Sequence, residues 1–516
     1  MRKNKQNNSM LFDSNNNPIP LNRVMRKSKG QVKAFFSGFK SANDENLADW
    51  ALLPLDINTI LRNDLKRLRA QARDLARNDD TTKRFLSILK QNVLGYAGIR
   101  LQAKNKIPGS NVQDTAWNTE IEREWSSFCS KRRVRGVFES PSACGSMSFV
   151  EISWLALASK AIDGECFIQV LRGYPHNKHK FAVRFLNPDL LDNSFCVNAK
   201  DGTNRVEMGI EFDKFDRPIA YHFNDGPSTK LFIKGNQRRI RIPADQIIHM
   251  FRHEYVGQIR GIPDFVSVIH KTKMLNGVHE ALVVGWRVAA AKMGFFVSND
   301  PDAAYSDVDG DQMFPESQMD AVPGGFEVLP EGYDIKEFNP DYPSSTFESS
   351  HGVFMQQLAN GYNVSSPTLS NNYSGVNYSS LRQALLEDRE GWRCVQAEMA
   401  DGFYRPIFED WYDWTANVTG LIKHTPMSDQ ELPTVVCQPR GWPWVDPLKE
   451  VNAQAKAVES KFRTRQSVIS ETTGADFTDT ADELRDEQEI LLERGLMSSV
   501  VNLEENNEGD DEEKLV

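Results

Sequence analysis

Apolar residues recur at spacings of three and four through most of this chain, and at spacings of two in one block between. In "INTILRNDLKRLRAQARDLARND", which begins at Ile57, the residues Ile60, Leu61, Leu65, Leu68, Ala72 and Leu75 fall near one face of a helix. Arg62, Lys66, Arg69, Arg73 and Arg77 populate the rest, a face that suits nucleic acid or, more commonly, pairing with acids or with a neighbouring subunit, and the helical pattern runs on to Gly95. It returns over residues 114–131 and 148–161. The period then changes. "CFIQVLRG", "KFAVRFLNPDLL", "RVEMGIEFDKFDRPIAYHF" and "TKLFIKG" are short, β-branched or alternating, and "KFDRP" and "NDGPS" supply turn chemistry between them. This pattern predicts an α+β domain ending near "ADQIIHMF".

Residues 263–293 predict a long helix opened by Pro263, a residue suited to a first helical turn. Phe265, Ile269, Leu275, Val278, Leu282 and Val288 keep its spacing, with Gly277 and Gly285 as tolerated interruptions. A smaller insert follows to about Pro343, with strands at "GFFVS", "GFEVL" and "YDIKEF" and an acidic loop, "DAAYSDVDGDQM". Residues 344–362 predict another helix. Then comes a polar stretch without charge, "SPTLSNNYSGVNY" at 366–378, and a long helical run to about Ala416. Ser379 or Ser380 is the expected N-cap of that run, and Gly391 the expected bend. A turn-rich segment, "CQPRGWPWVDP", helices at 446–470 and 480–494, and an acidic tail complete the chain.

The 516 residues allow two or more domains. A net charge of −10 excludes a globally basic nucleic-acid binder, though not a protein that surrounds DNA without gripping it. The first 40 residues run the other way, with nine Lys/Arg against one acid, Asp13, and read as a flexible basic arm. The six cysteines form no CxxC pair, so reduced, packed thiols and a cytosolic site of synthesis are expected. No signal-peptide apolar core and no run of eighteen apolar residues is present.

Motifs that carry catalytic chemistry are nearly absent from the sequence. There is no GxxxxGK[ST], GxGxxG or GxSxG motif. His279 and Glu280 in "VHEAL" lack the second histidine of a zinc protease. His249 and His253 are four apart, but their segment reads as a strand, where that spacing is too long for one ion. Asp307, Asp309 and Asp311 resemble a calcium loop, with Gly310 in the wrong place. An exposed acidic loop is the simpler reading. No catalytic residue, metal or cofactor is assigned.

Four stretches, in consistent order over roughly residues 55–410, resemble the lambda-type bacteriophage portal family. They are "LRNDLKRLRAQARDLARNDDTTKRFLSILKQNVLGYAGIRLQ", "FLNPDLLDN", "IIHMFRHEYVGQIRGIPDF", and the set "EVLPEGYDIKEFNPDYPSSTF" with "QQLANGYNVSSPTLSNNYSGVNYSSLRQALLEDREGW". "GQIRGIPDF" and "NYSSLRQALLE" are the specific ones. The motif residues Arg260, Gly261, Pro263, Ser379, Ser380 and Arg382 are given structural roles.

The resemblance implies an α+β, portal-type architecture: a ring, twelve subunits being usual, at one capsid vertex of the virion, assembled in the bacterial cytoplasm. Double-stranded DNA is packaged and ejected through its channel. Implied partners are the large terminase subunit, a major capsid or scaffold protein, and head-completion or tail-adaptor proteins; no membrane is involved. Mapped onto this sequence, 1–45 is the arm and 46–262 a mixed α/β wing. Residues 263–293 and 344–365 are stem helices, with 294–343 the clip between them. Residues 366–378 are the tunnel loop, 379–420 the long wing helix, 421–502 the crown and 503–516 the acidic tail.

In the loop, Ser370, Asn371, Asn372, Tyr373, Ser374, Asn377 and Tyr378 are the expected DNA-facing residues. Uncharged polar groups can bond phosphate transiently, without the tight cation contacts that pin DNA. Two roles are open to Tyr373 and Tyr378: wedging against the duplex, or packing between subunits. Lys271 and Lys273 are candidates for the channel face of the stem, intersubunit salt bridges being the alternative. A phage-encoded metal-dependent nuclease and a non-channel minor head protein are the competing readings.

Overall fold

The arginine-rich stretch is helical because its apolar residues form one row. In the computed structural model, α1 spans Ile57–Asn78, and Leu61, Leu65, Ala72 and Leu75 are buried along it. Arg69 stands in that same buried row, at 1% exposure, while Ile60 turns outward. The structure describes residues 10–12, 18–20, 55–107, 109–110, 113–134, 136–198, 204–225, 238–290, 294–298, 333–337, 344–423, 432–442, 447–473 and 476–494. The expectations for most of the basic arm, "TKLFIKG", "GFEVL", the Asp307 loop and the acidic tail fall outside them. Within the first 59 residues, β1 (Met10–Phe12) pairs antiparallel with β2 (Pro18–Pro20).

Asp79 starts α2 (Asp80–Leu89): its Oδ2 accepts from the Thr82 amide at 2.7 Å and the Thr82 hydroxyl at 2.6 Å. The helix loosens into a π-turn at Lys90–Leu94. The buried Gln396 side chain donates to carbonyls there, at Asn92 and Val93, and to that of Arg440. This satisfies backbone groups that would be costly to leave bare. After β3 (Arg100–Ala103), α3 (Thr115–Cys129) is capped by Asp114. β4 (Arg132–Val134) and β5 (Val137–Glu139) form a short hairpin. A capping box of Ser148 and Glu151 opens α4 (Phe149–Asp163), and Gly164, at φ 82°, ends it.

Two antiparallel sheets follow. The first has the order β12–β6–β7, from β6 (Glu165–Arg172), β7 (Phe181–Leu186) and β12 (Ile247–Phe251). The second is a meander of β8 (Arg205–Glu207), β9 (Ile210–Phe212), β10 (Pro218–Asn224) and β11 (Arg239–Pro243). Central strand β6 is buried on both faces. Cys166, Ile168 and Val170 join the main core with the helices, whereas Phe167 joins a second core with Ile210, Phe212, Tyr221 and Phe223. Alternation along one strand thus serves two cores.

Pro263 does not open the next helix. A 3₁₀ turn at Val266–Val268 intervenes, and α5 runs Ile269–Ala290. The reason lies in the local bonds: the Asp264 amide donates to the Ala161 carbonyl and its carboxylate accepts from Lys160, which ties this segment to α4 ahead of the helix. β13 (Gly294–Ser298) and β14 (Tyr333–Glu337) pair antiparallel. α6 (Ser344–Gly361) returns, and Gly361 meets Val268 so closely that an added Cβ would lie 2.1 Å from its Cγ1.

α7 (Ser366–Ser370) and α8 (Tyr378–Met399) flank the polar stretch. The α-helical ladder runs unbroken through Gly391. The departure comes later, in a π-turn at Ala400–Tyr404, before α9 (Arg405–Trp414) and a second π-turn at Thr415–Thr419. Widened turns of this kind are one of the recognised places where helices bend. β15 (Val435–Gln438) pairs with the distant β3, and α10 (Pro447–Glu459), α11 (Arg465–Thr473) and α12 (Phe477–Glu493) complete the described chain.

Candidate functional site

The uncharged stretch divides into an anchored root and an exposed tip. At the root, Asp388 of α8 is buried and accepts from the Ser365 amide, the Ser365 hydroxyl and the Thr368 hydroxyl, each at 2.7 Å. One carboxylate therefore ties the start of α7 to α8. Ser370 closes the short helix by donating to the Ser366 carbonyl at 2.8 Å. Asn371 takes a left-handed conformation at φ 56°, tolerated by Asn, and its Oδ1 accepts from Arg84 of α2 at 2.9 Å.

Beyond it the side chains face outward. Asn372 accepts from the Ser374 amide at 3.0 Å and also from its hydroxyl, forming a self-contained turn that Gly375 completes at φ 75°. Tyr373 is 51% exposed and Tyr378 59%. The helix cap is neither of the two expected serines. Asn377 is the N-cap: its Oδ1 accepts from the Ser380 amide at 2.8 Å and from the Ser379 hydroxyl at 2.9 Å. Asn is as good a cap as Ser, and here it stands at the residue whose backbone is still extended. Arg382, a turn further on, pairs with Glu450 of α10 at 3.3 Å.

The "GQIRGIPDF" segment lies elsewhere, at a fully buried ionic node. Glu165, the first residue of β6, accepts at Oε1 from Arg69 and from Arg260 Nη2. At Oε2 it accepts from Arg260 Nε at 3.0 Å, the Gly261 amide at 3.0 Å and His249 Nε2 at 3.2 Å. Arg260 also donates to Asn193 and to the Met208 carbonyl. Burial by itself would raise the Glu165 carboxyl, but the charges of Arg260 and Arg69 hold it well below the usual carboxylate range. Burial pushes His249 the other way from its partner's pull, below the usual imidazole value, so it is neutral near pH 7. His249 is stacked between Phe167 and Phe251. Pro263 is buried close behind.

A second ionic node joins this region to the loop helix. Lys160 of α4, 3% exposed, contacts Asp264 at 3.0 Å and Glu398 of α8 at 3.3 Å, and Arg252 also binds Glu398. A third contact set holds α2 against α5 and α6: Asn276 donates to Asp79 at 2.9 Å, and Thr82 meets the Tyr362 hydroxyl at 2.7 Å.

Along α5, Lys271 and Lys273 are both exposed, but two residues correspond to about 200° of helix rotation, so they point to different sides. The same helix leaves Met274, Val278, Val283, Val284 and Trp286 about half exposed, and α6 leaves Val353 and Phe354 so. The residues chosen from sequence therefore fall in three places: the loop, the Glu165 node and α5. Sequence reasoning missed Glu165, Arg84 and Asp388; the pairing with acids expected of the arginine-rich helix is found at Arg69 and Arg73. The one available signal was "DGECFIQV", where an acid opens a strand otherwise fit for full burial.

Among the described residues, no group of three or more His, Cys, Asp or Glu is placed to hold a metal ion. No described helix is long and apolar enough to cross a membrane. All six cysteines are free.

The phage portal protein pattern of the lambda family matches residues 43–396. A probable portal protein of Halomonas phage phiHAP-1 is 28% identical over 474 residues, covering 89% of this chain and 88% of the relative. The portal protein of Escherichia phage N15 is 23% identical over 370 residues, 66% of each chain. Among solved structures, a chain from the neck of a native gene transfer agent particle with C12 symmetry matches at 13% identity and a TM-score of 0.44, covering 80% of this chain and 94% of that one. The pattern match takes in the arginine-rich helix, the Glu165 node, α5 and the polar loop, and this chain belongs to the lambda family of phage portal proteins.

Proposed function

We propose that copies of this chain form a ring at one vertex of a phage head, with twelve subunits the expected number, and that double-stranded DNA enters and leaves the head through its channel. The observation that carries this reading is the loop at 371–377: exposed, without charge, and mounted on a buried carboxylate. A surface that DNA slides past must avoid stable cation–phosphate contacts, because each one raises affinity and salt sensitivity. The half-exposed apolar residues of α5 and α6 support the ring, since neighbouring copies would cover them. In this reading α5 and α6 form the stem, and residues 294–343 form the clip that docks terminase and then head-completion proteins. Residues 46–262 form the wing, which meets capsid or scaffold protein. The role is structural, with the motor activity on a separate terminase.

Negative-stain microscopy of the purified protein tests the ring, and should show annular particles with a central hole. Deleting residues 370–377 should leave rings intact and impair DNA packaging or retention. Compact monomers with metal-dependent DNA cleavage would replace this reading by a nuclease. Loss of rings on deletion would make the loop an assembly element.

A further inference from the structure

The exposed loop carries no charge, but the residue that holds its root does. Arg84 lies on α2 and donates from Nη2 to Asn371 Oδ1 at 2.9 Å. Its Nε is buried and finds no acceptor. Among the described residues no carboxylate pairs with it. Asp80, one turn earlier, accepts from the Thr81 amide at 2.8 Å, and the adjacent Lys83 is another cation. This contrasts with the arginines of α1: Arg69 and Arg73 both reach acids, at Glu165, Asp163 and Asp189. A guanidinium left without an anion, fixed against a neutral amide oxygen, has spare donors and an uncompensated charge.

We infer that Arg84 is a phosphate-contacting residue of the channel, delivered to the loop root by α2, and that Asn371 holds it in reserve. This inference rests on the reading of 371–377 as the DNA-facing loop. The Arg84–Asn371 bond is a charged donor on a neutral acceptor. A phosphate oxygen offers the same guanidinium a doubly charge-assisted bond, which is stronger. When a duplex displaces the loop, Asn371 is withdrawn and the charge is free to meet the backbone. Each subunit then contributes one weak, salt-sensitive hold beside the uncharged loop. Such a hold retains packaged DNA against slippage without fixing its sequence register.

The test uses full-length rings and a fluorescently labelled linear duplex, with retention measured over a series of NaCl concentrations. R84Q keeps an amide donor for Asn371 and removes the charge. R84K keeps the charge and removes the fork. N371A removes the acceptor that holds Arg84. Rings and melting temperature are checked first for each. R84Q should retain DNA several-fold less at low salt, with a shallower slope of log affinity on log salt, by up to about 0.9 per engaged subunit. R84K should keep most of the wild-type slope, and N371A should retain DNA more strongly than wild type. A wild-type slope in R84Q, or an R84K slope equal to that of R84Q, overturns the assignment. If R84Q does not assemble, N371A decides: retention at or below wild type overturns it. Deletion of 370–377 separates the two readings. Where deletion changes DNA retention and R84Q leaves the slope alone, only the role of Arg84 falls; where deletion changes nothing, the loop reading falls with it.

Discussion

A methyl group added to Gly261 would place its carbon 1.9 Å from the carbonyl oxygen of Gly164, and one added to Gly164 would lie 2.4 Å from the Ile262 carbonyl carbon. The two glycines let one backbone lie directly on another. Their neighbours Glu165 and Arg260 are thereby brought into the buried double salt bridge with Arg69. Gly164 also has φ +82°, which an L side chain rarely adopts. Substituting Gly261→Ala should destabilise the protein by roughly 3 kcal/mol or more, since neither backbone can yield locally. Chemical denaturation of the purified variant measures this. A loss below about 1 kcal/mol would mean the segment can shift at little cost.

Glu165→Gln should be as damaging for a different reason. It leaves Arg69 and Arg260, both buried, with no anion between them. Removing one partner of a buried pair costs about 3–5 kcal/mol, because the remaining charge is uncompensated. The measurement is the denaturation midpoint. Restoring Glu at 165 while replacing Arg69 with Met should recover part of the loss, since Arg260 still pairs with the carboxylate.

Acid should weaken the fold in two stages. Burial holds His249 and His179 below the usual imidazole value of 6.5, so the folded state resists protons that the unfolded chain accepts. Stability is therefore full above that pH and falls as pH drops below it. Glu165, held well below 4.5, adds a second loss in the same direction, beginning below its ordinary value and continuing toward its folded one. The melting temperature should be lower at about pH 5.5 than at about pH 7.5, and His179→Gln should flatten the difference. Equal melting temperatures at the two pH values would contradict this account.

Asp388→Ala should loosen the loop without unfolding the protein. Three hydrogen bonds at its two oxygens are lost, and Ser365 and Thr368 lose their acceptor. A cost of about 1–3 kcal/mol is expected for donors left without a partner. Hydrogen exchange should quicken across residues 365–377, with α4 and β6 unchanged. Uniform quickening over the whole chain would place the effect in global stability instead.

The N-cap gives a graded test. Asn377→Ala should cost about 1 kcal/mol, since its oxygen serves the Ser380 amide and the Ser379 hydroxyl. Ser379→Ala and Ser380→Ala should each cost a few tenths of that, as neither is the cap. Thermal melts of the three variants compare them directly. A larger loss at Ser379 than at Asn377 would return the cap to the serine.

The chain by itself determined whatever depends on neighbours in sequence. Helical spacing placed α1, α3, α4, α6 and α8, and turn chemistry separated β9 from β10. The uncharged run at 366–378 was likewise visible as composition, and the glycine and arginine of "GQIRGIPDF" as a motif. What escaped it depends on partners far along the chain. Strand β3 forms only because β15 pairs with it across more than three hundred residues. Pairing with an acid was expected of the arginines on α1, but the partner of Arg69, Glu165, lies 96 positions away and its burial was not legible. Asn377 outcompeted two adjacent serines because the extended backbone ends at that residue, and Gly391 left its helix unbroken while a π-turn formed further on. Local periodicity reports which face of an element is apolar. It does not report which charged group the tertiary fold will desolvate, because the cost of burying that group is met only by an opposite charge brought from elsewhere.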